Sequence, residues 1–162
     1  MAEVKIYNGN QIGGCITVIS SNKAKIMIDF GENLPGAESV EENEFDWETE
    51  KIDAVLFTHY HGDHIGRFKE IPKEIPLYMG KLTRQVMITI SKYVKDEEAL
   101  RILQDDTRVQ TVVAAQSFEM EDIRVTIPLT MPICICWKHP KKSYYIQEIF
   151  VGMGIVEKQS FP

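Results

Sequence analysis

The sequence predicts an α/β fold of stacked layers, on three observations. Apolar runs of strand length recur from Val4 to Ile127, stretches of helical spacing lie between them, and strands outnumber helices. One of the apolar runs, Ala54-Val55-Leu56-Phe57, opens into Thr58-His59-Tyr60-His61-Gly62-Asp63-His64, three histidines and an aspartate in seven positions. A strand that releases such a cluster into a glycine-containing turn places it at the rim of a sheet, within reach of solvent.

Taken in order, Val4 and Ile6 alternate with charged residues as a short strand, and Asn8-Gly9-Asn10 is a turn signal. Cys15–Ile19 and Lys25–Phe30 read as strands joined by the turn Ser20–Lys23. Gly36 to Glu50 carries Glu38, Glu41, Glu42, Glu44, Asp46, Glu48 and Glu50 with no Lys or Arg, which reads as a solvated loop or helix face anchored by Phe45 and Trp47. In Lys51–Phe57 the last four residues, all apolar, read as a buried strand, and Ile65–Phe68 reads as the first turn of a helix with Asp63 near its beginning. Leu77–Met79 is a short strand ended by Gly80. Val86, Ile90, Tyr93 and Val94 fall at helical spacing, and Leu100–Leu103 belongs to a second helix. Val109–Val113 returns to strand character, Gln116-Ser117 is a turn, and Ile123–Ile127 alternates apolar and polar until Pro128 interrupts it.

At 162 residues, 44% hydrophobic and 26% charged, the chain supports one domain with a real core. A net charge of -6 provides no general basic surface, so any nucleic-acid contact needs a local patch or metal ions. No basic segment leads an apolar run at the N-terminus and no run approaches membrane-spanning length, so the expectation is a cytoplasmic protein with no membrane association. Cys15, Cys134 and Cys136 make a poor disulfide framework and are expected to be reduced.

Imidazole and carboxylate groups are ligands for zinc, manganese or iron. On a helix, His59 and His61 would point about 200° apart, whereas an extended segment turns them to the same side. If two ions bind, His59 with His61 serves one and Asp63 with His64 the other. The plain alternative is a His-rich turn whose imidazoles hydrogen-bond to backbone and to Asp63. Asp29, at a strand end before Gly31, can orient such a site or act only as a turn-forming residue.

The stretch His59-Tyr60-His61-Gly62-Asp63-His64 resembles the H-x-H-x-D-H signature of the metallo-β-lactamase superfamily, with its apolar strand and Thr58 in place. Asn10-Gln11-Ile12-Gly13-Gly14 and Ile26-Met27-Ile28-Asp29-Phe30-Gly31 look more narrowly like the ribonuclease J, β-CASP-type branch. The resemblance runs to about Thr126. It implies a partial αββα sandwich and a site for up to two zinc ions, with manganese an alternative. It also implies metal ligands at His59, His61, Asp63 and His64, proton handling by Asp63, support from Asp29, and RNA or another phosphodiester as substrate.

The chain departs from that pattern downstream. No aspartate follows Asp122, and the one later histidine, His139, sits in Trp137-Lys138-His139-Pro140, so the family's further histidine and aspartate have no counterpart. The expectation is an N-terminal part of such a domain over 1–130 and an atypical tail over 131–162, with Ile133–Trp137 and Tyr144–Val151 able to pair as a hairpin. Reverse translation offers an origin for this tail. Tyr144–Gly154 can be encoded so that a shifted frame reads through Thr-Gly-Asp, and the same shift at Thr130–Cys134 gives Asp-Ala-Tyr-Met, as in a frameshifted, truncated relative of a longer hydrolase. Three functions follow: a ribonuclease- or phosphodiesterase-like metallo-hydrolase with an incomplete site, a non-enzymatic metal-binding or protein-interaction domain, and a small metallo-hydrolase of another ester or thioester. A sheet edge left uncovered by half a sandwich would favour homo-oligomers.

Overall fold

The computed structural model describes residues 3–11, 13–35, 45–127, 134–139 and 142–147, the last two stretches as strand backbone. Expectations for Ile12, for residues 36–44 of the acidic run, for the side chains of Cys134, Cys136 and His139, and for the shifted-frame sequence beyond Gln147 fall outside the described residues.

Two sheets and one helical layer are stacked. The first sheet has the order β1 (Glu3–Tyr7), β2 (Ile16–Ser20), β3 (Lys25–Ile28), β4 (Ala54–Leu56), β5 (Leu77–Gly80), β6 (Val109–Val112). Its first three strands form an antiparallel meander, and β3 through β6 run parallel. The second sheet is formed by β7 (Ser117–Met120), β8 (Ile123–Thr126), β9 (Cys134–His139) and β10 (Lys142–Gln147), with β9 and β10 antiparallel from Cys134↔Gln147 to His139↔Lys142.

Strand alternation divides the core into two halves, because successive side chains on a strand point to opposite faces. Met27, Val55 and Phe57 face one cluster, which also holds Ala99 and Leu103 of α4 (Glu97–Gln104) and is flanked by Met87 and Ile88 of α3 (Lys81–Val94). Ile26, Ile28, Ala54 and Leu56 face the other, closed by Ile123, Val125 and Ile127. Phe118 of β7 stacks on Tyr78 of β5 with centroids 5.2 Å apart, tying the sheets together. A parallel sheet buried on both faces needs continuous apolar strands, and β4 supplies one.

Three element boundaries differ from the sequence expectation. β3 stops at Ile28 because Asp29 turns to φ 60°, outside strand geometry. Helix α2 (Gly62–Ile65) begins beside Asp63 as expected, with His61 as its extended N-cap residue, but ends at Ile65 and does not run on to Phe68. The polar Gln116-Ser117 pair masks a strand: Phe118 and Met120 alternate onto the second core half, and Ser117–Met120 pairs with β8.

The acidic run also needs a correction at its end. Asp46 caps α1 (Trp47–Glu50), accepting from the Glu48 and Thr49 amides at 3.2 Å each, and Phe45 and Trp47 pack edge-on against each other and against Tyr7 and Phe30. Glu50, by contrast, is buried, not part of a solvated face. Its carboxylate accepts from Lys5 Nζ at 2.7 Å, Lys25 Nζ at 3.0 Å and the Tyr7 hydroxyl. These hydrogen bonds, led by those from Lys5 and Tyr7, hold its carboxyl down to about 2.

Candidate metal centre

The histidine cluster sits where two neighbouring parallel strands end at one rim. Ile28 and Leu56 are register partners, so the residues after them, Asp29 and Phe57-Thr58, leave the sheet side by side. The Asp29 amide donates to the Leu56 carbonyl at 2.9 Å. Its side chain is buried and bridges the strand end to the turn. Oδ1 accepts from the Thr58 amide at 2.8 Å, while Oδ2 accepts from the Thr58 hydroxyl at 2.7 Å and from His64 Nδ1 at 2.8 Å. Aspartate tolerates the left-handed backbone better than most residues, which is consistent with its place here.

This bridge fixes two imidazole tautomers. Thr58 Oγ1 uses its single hydrogen on Asp29, so toward His59 Nδ1, 2.9 Å away, it can only accept. His59 and His64, when neutral, therefore both carry hydrogen on Nδ1 and the lone pair on Nε2, the arrangement that a supporting carboxylate or hydroxyl gives a ligating histidine. Burial, reinforced by the neighbouring His64, pushes His59 down to about 4, which keeps it neutral near pH 7.

The lone-pair atoms meet the remaining donors in pairs. His59 Nε2 lies 3.2 Å from His61 Nδ1, and His64 Nε2 lies 3.5 Å from Asp63 Oδ2. Tetrahedral ligands with bonds of about 2.0–2.1 Å stand roughly 3.3–3.4 Å apart, so both spacings suit adjacent positions around one ion. The rings of His59 and His64 are 4.0 Å apart between centroids and those of His59 and His61 4.7 Å, and the half-exposed Tyr60 packs edge-on against His61. The four sequence-predicted ligands thus come together as two pairs. Among the described residues, no group of three or more His, Cys, Asp or Glu side chains is placed to hold an ion, so each pair fits part of a ligand set.

Sequence reasoning gave no role to Thr58, whose hydroxyl links Asp29 to His59, nor to the glycines that receive the turn. The Phe30 and Glu32 amides donate to the His64 and Gly62 carbonyls at 2.8 and 2.9 Å, and the Gly14 amide donates to the Asp63 carbonyl at 3.1 Å. The position of Thr58 between a buried strand and the first histidine was the available signal.

With this geometry in view, similarity to known proteins becomes informative. Residues 12–78 match the model of the family described as the Metallo-beta-lactamase superfamily. A hydroxyacylglutathione hydrolase of Klebsiella pneumoniae subsp. pneumoniae is 35% identical over 95 residues, covering 56% of this chain and 35% of that protein. A ribonuclease Z of Clostridium acetobutylicum is 44% identical over 48 residues, covering 30% of this chain and 14% of its own. The solved structure of the MIM-2 metallo-beta-lactamase superposes with a TM-score of 0.54 at 18% identity, covering 82% of this chain and 53% of that one. The chain therefore spans about a third or less of these two relatives and about half of that structure. No helix among the described residues is long and apolar enough to cross a membrane. The match over residues 12–78 is a likeness to the metallo-beta-lactamase superfamily in sequence, and the mixed α/β arrangement is a likeness to its solved structures in fold.

Proposed function

We propose that the chain is a metal-dependent hydrolase-like protein whose substrate is a phosphodiester, RNA foremost, in the manner of the ribonuclease J branch it resembles. The observation that carries this reading is the Asp29–Thr58 bridge, which orients His59 and His64 with Nε2 toward His61 and Asp63. His59 with His61 would hold one ion and Asp63 with His64 a second; zinc suits the donors best, and manganese also accepts them. When bound, such an ion supplies Lewis-acid charge at the reacting bond. Asp63, partly exposed beside His64, is the group to take up or release a proton. The ribonuclease Z match favours a nucleic-acid substrate, and the hydroxyacylglutathione hydrolase match favours a small ester or thioester.

A second reading has its own observation. The ligands form pairs and not a set of three among the described residues, as expected of a metal-binding or protein-interaction domain without turnover. Val4 and Ile6 on the edge strand β1 are 51% and 55% exposed, an edge suited to homo-oligomers, and a cytoplasmic location goes with both readings.

Elemental analysis of protein purified without chelators, followed by assays on RNA and on a thioester with and without added zinc or manganese, tests the proposal. Stoichiometric metal and RNA cleavage abolished by His61→Ala and Asp63→Asn are expected. Thioester turnover without RNA cleavage shifts the substrate, and metal binding without turnover of either supports the second reading.

A further inference from the structure

The turn that carries Asp63 and His64 is seated on backbone that has no room for a side chain. A Cβ added to Gly31 would lie 1.8 Å from the Asp63 carbonyl oxygen, 2.0 Å from its carbon and 2.4 Å from the His64 nitrogen, all backbone atoms that no rotamer change moves aside. On the same carbonyl the Gly14 amide donates at 3.1 Å, from a residue at φ +65°. Gly13, at φ +81°, brings its α-carbon close enough that a Cβ would be 3.0 Å from Asp63 Cβ. The Asp63–His64 peptide is thus held by Gly31 and by the Gly13-Gly14 turn, whose Gly13 bridges to Asn33. Gly62, inside the cluster itself, is different: a Cβ there would meet nothing nearer than Glu32 Oε2 at 4.0 Å.

We infer that Gly13, Gly14 and Gly31 form a backbone clamp that positions the Asp63 carboxylate against the His64 imidazole, a role that rests on the proposed metal centre for its purpose but not for its geometry. The spacing of 3.5 Å between Asp63 Oδ2 and His64 Nε2 is set across one peptide bond, and the Asp29 bond to His64 Nδ1 is set from the segment Asp29–Gly31 that follows β3. Moving that peptide by the distance an added methyl requires breaks both alignments together. These are positioning residues, since none of their side chains exists to touch a substrate or an ion.

The experiment compares Gly31→Ala with Gly62→Ala on two readouts. In metal-free protein, proton NMR follows the downfield imidazole signal of His64 Nδ1–H donated to Asp29. In a separate titration, visible absorption follows Co²⁺ binding. Gly31→Ala is expected to unfold cooperatively yet lose or strongly shift the His64 signal and bind Co²⁺ at least tenfold more weakly, the scale seen when a residue that orients a ligand is removed. Gly62→Ala is expected to keep the signal and stay within about twofold of wild type. Retention of the signal by Gly31→Ala, or equal losses in the two variants, overturns the clamp. If wild type binds no Co²⁺, the metal reading fails while the NMR comparison still decides the clamp. If Gly31→Ala does not fold, amide exchange in wild type decides: the clamp requires Gly14 to exchange as slowly as Met27 in the core, and loop-like exchange overturns it.

Discussion

Asp29 and Glu50 are both buried carboxylates that accept three hydrogen bonds, yet they have different kinds of partner. Glu50 faces two lysine ammonium groups and a phenol, so its charge is neutralised where it stands, and it ties α1 to β1 and β3. Asp29 faces a backbone amide, a hydroxyl and an imidazole, and among the described residues no Lys or Arg is bonded to it. Its charge is passed on through Thr58 and His64 to the ring atoms at the rim. Saturation by cations marks a carboxylate that holds structure together, whereas Asp29 sets the orientation of imidazoles at the rim.

The comparison can be pressed hardest at Asp29. Asp29→Ala leaves the Thr58 amide and hydroxyl and His64 Nδ1–H without their acceptor, and should cost roughly 3 kcal/mol in urea unfolding. Asp29→Asn suits the same left-handed backbone and should recover about half of that. Equal losses would show that charge, not acceptor geometry, is what Asp29 provides.

Glu50→Gln comes next, at roughly 2 kcal/mol near pH 7, discounted because Lys5 is 52% exposed. The sign of its pH dependence is fixed. The folded pKa lies below the ordinary 4.5, so the contribution is fully present above that value and disappears as pH falls toward about 2. Acid titrations of wild type and Glu50→Gln should converge across this window. Parallel curves would mean that the two lysines do not hold the carboxylate.

Thr58→Val keeps the shape and removes the hydroxyl bridge, and a thermal melt should show about 1 kcal/mol of loss. Glu70→Gln gives the smallest effect. It breaks only the exposed pair with Arg67, with side chains 41% and 55% exposed, and should change chemical stability by less than about 0.5 kcal/mol. A larger change there would undo the claim that burial is what gives these carboxylates their weight.

The two carboxylates also show what could be read from the chain alone. The strands and helices were legible because their patterns are local: β4 is a continuous apolar run, and α3 repeats apolar residues at helical spacing. The cluster of three histidines and Asp63 was legible because its spacing is local too. Asp29 was visible only as a choice between orienting and turn-forming roles, since its partners lie at 58 and 64. Glu50 was misassigned with its acidic neighbours, because Lys5 and Lys25 reach it from strands that only the fold brings near. Gly31 and Gly14 carried no sequence sign of the peptide they receive, for close approach of two backbones is a property of packing.

The parallel pairing of β3 with β4 has a kinetic consequence. Those strands are separated by residues 29–53, so their alignment closes a long loop before any hydrogen bond is gained, and the Asp29–Thr58 bridge cannot form until it has closed. The rim is thus assembled late on the folding route, after the locally encoded helices α3 and α4. Bonds made so late act mainly on the rate of escape from the native state. Mutations in the bridge should therefore speed unfolding far more than they slow refolding, and the chain's lifetime will be set at the same atoms that aim its histidines.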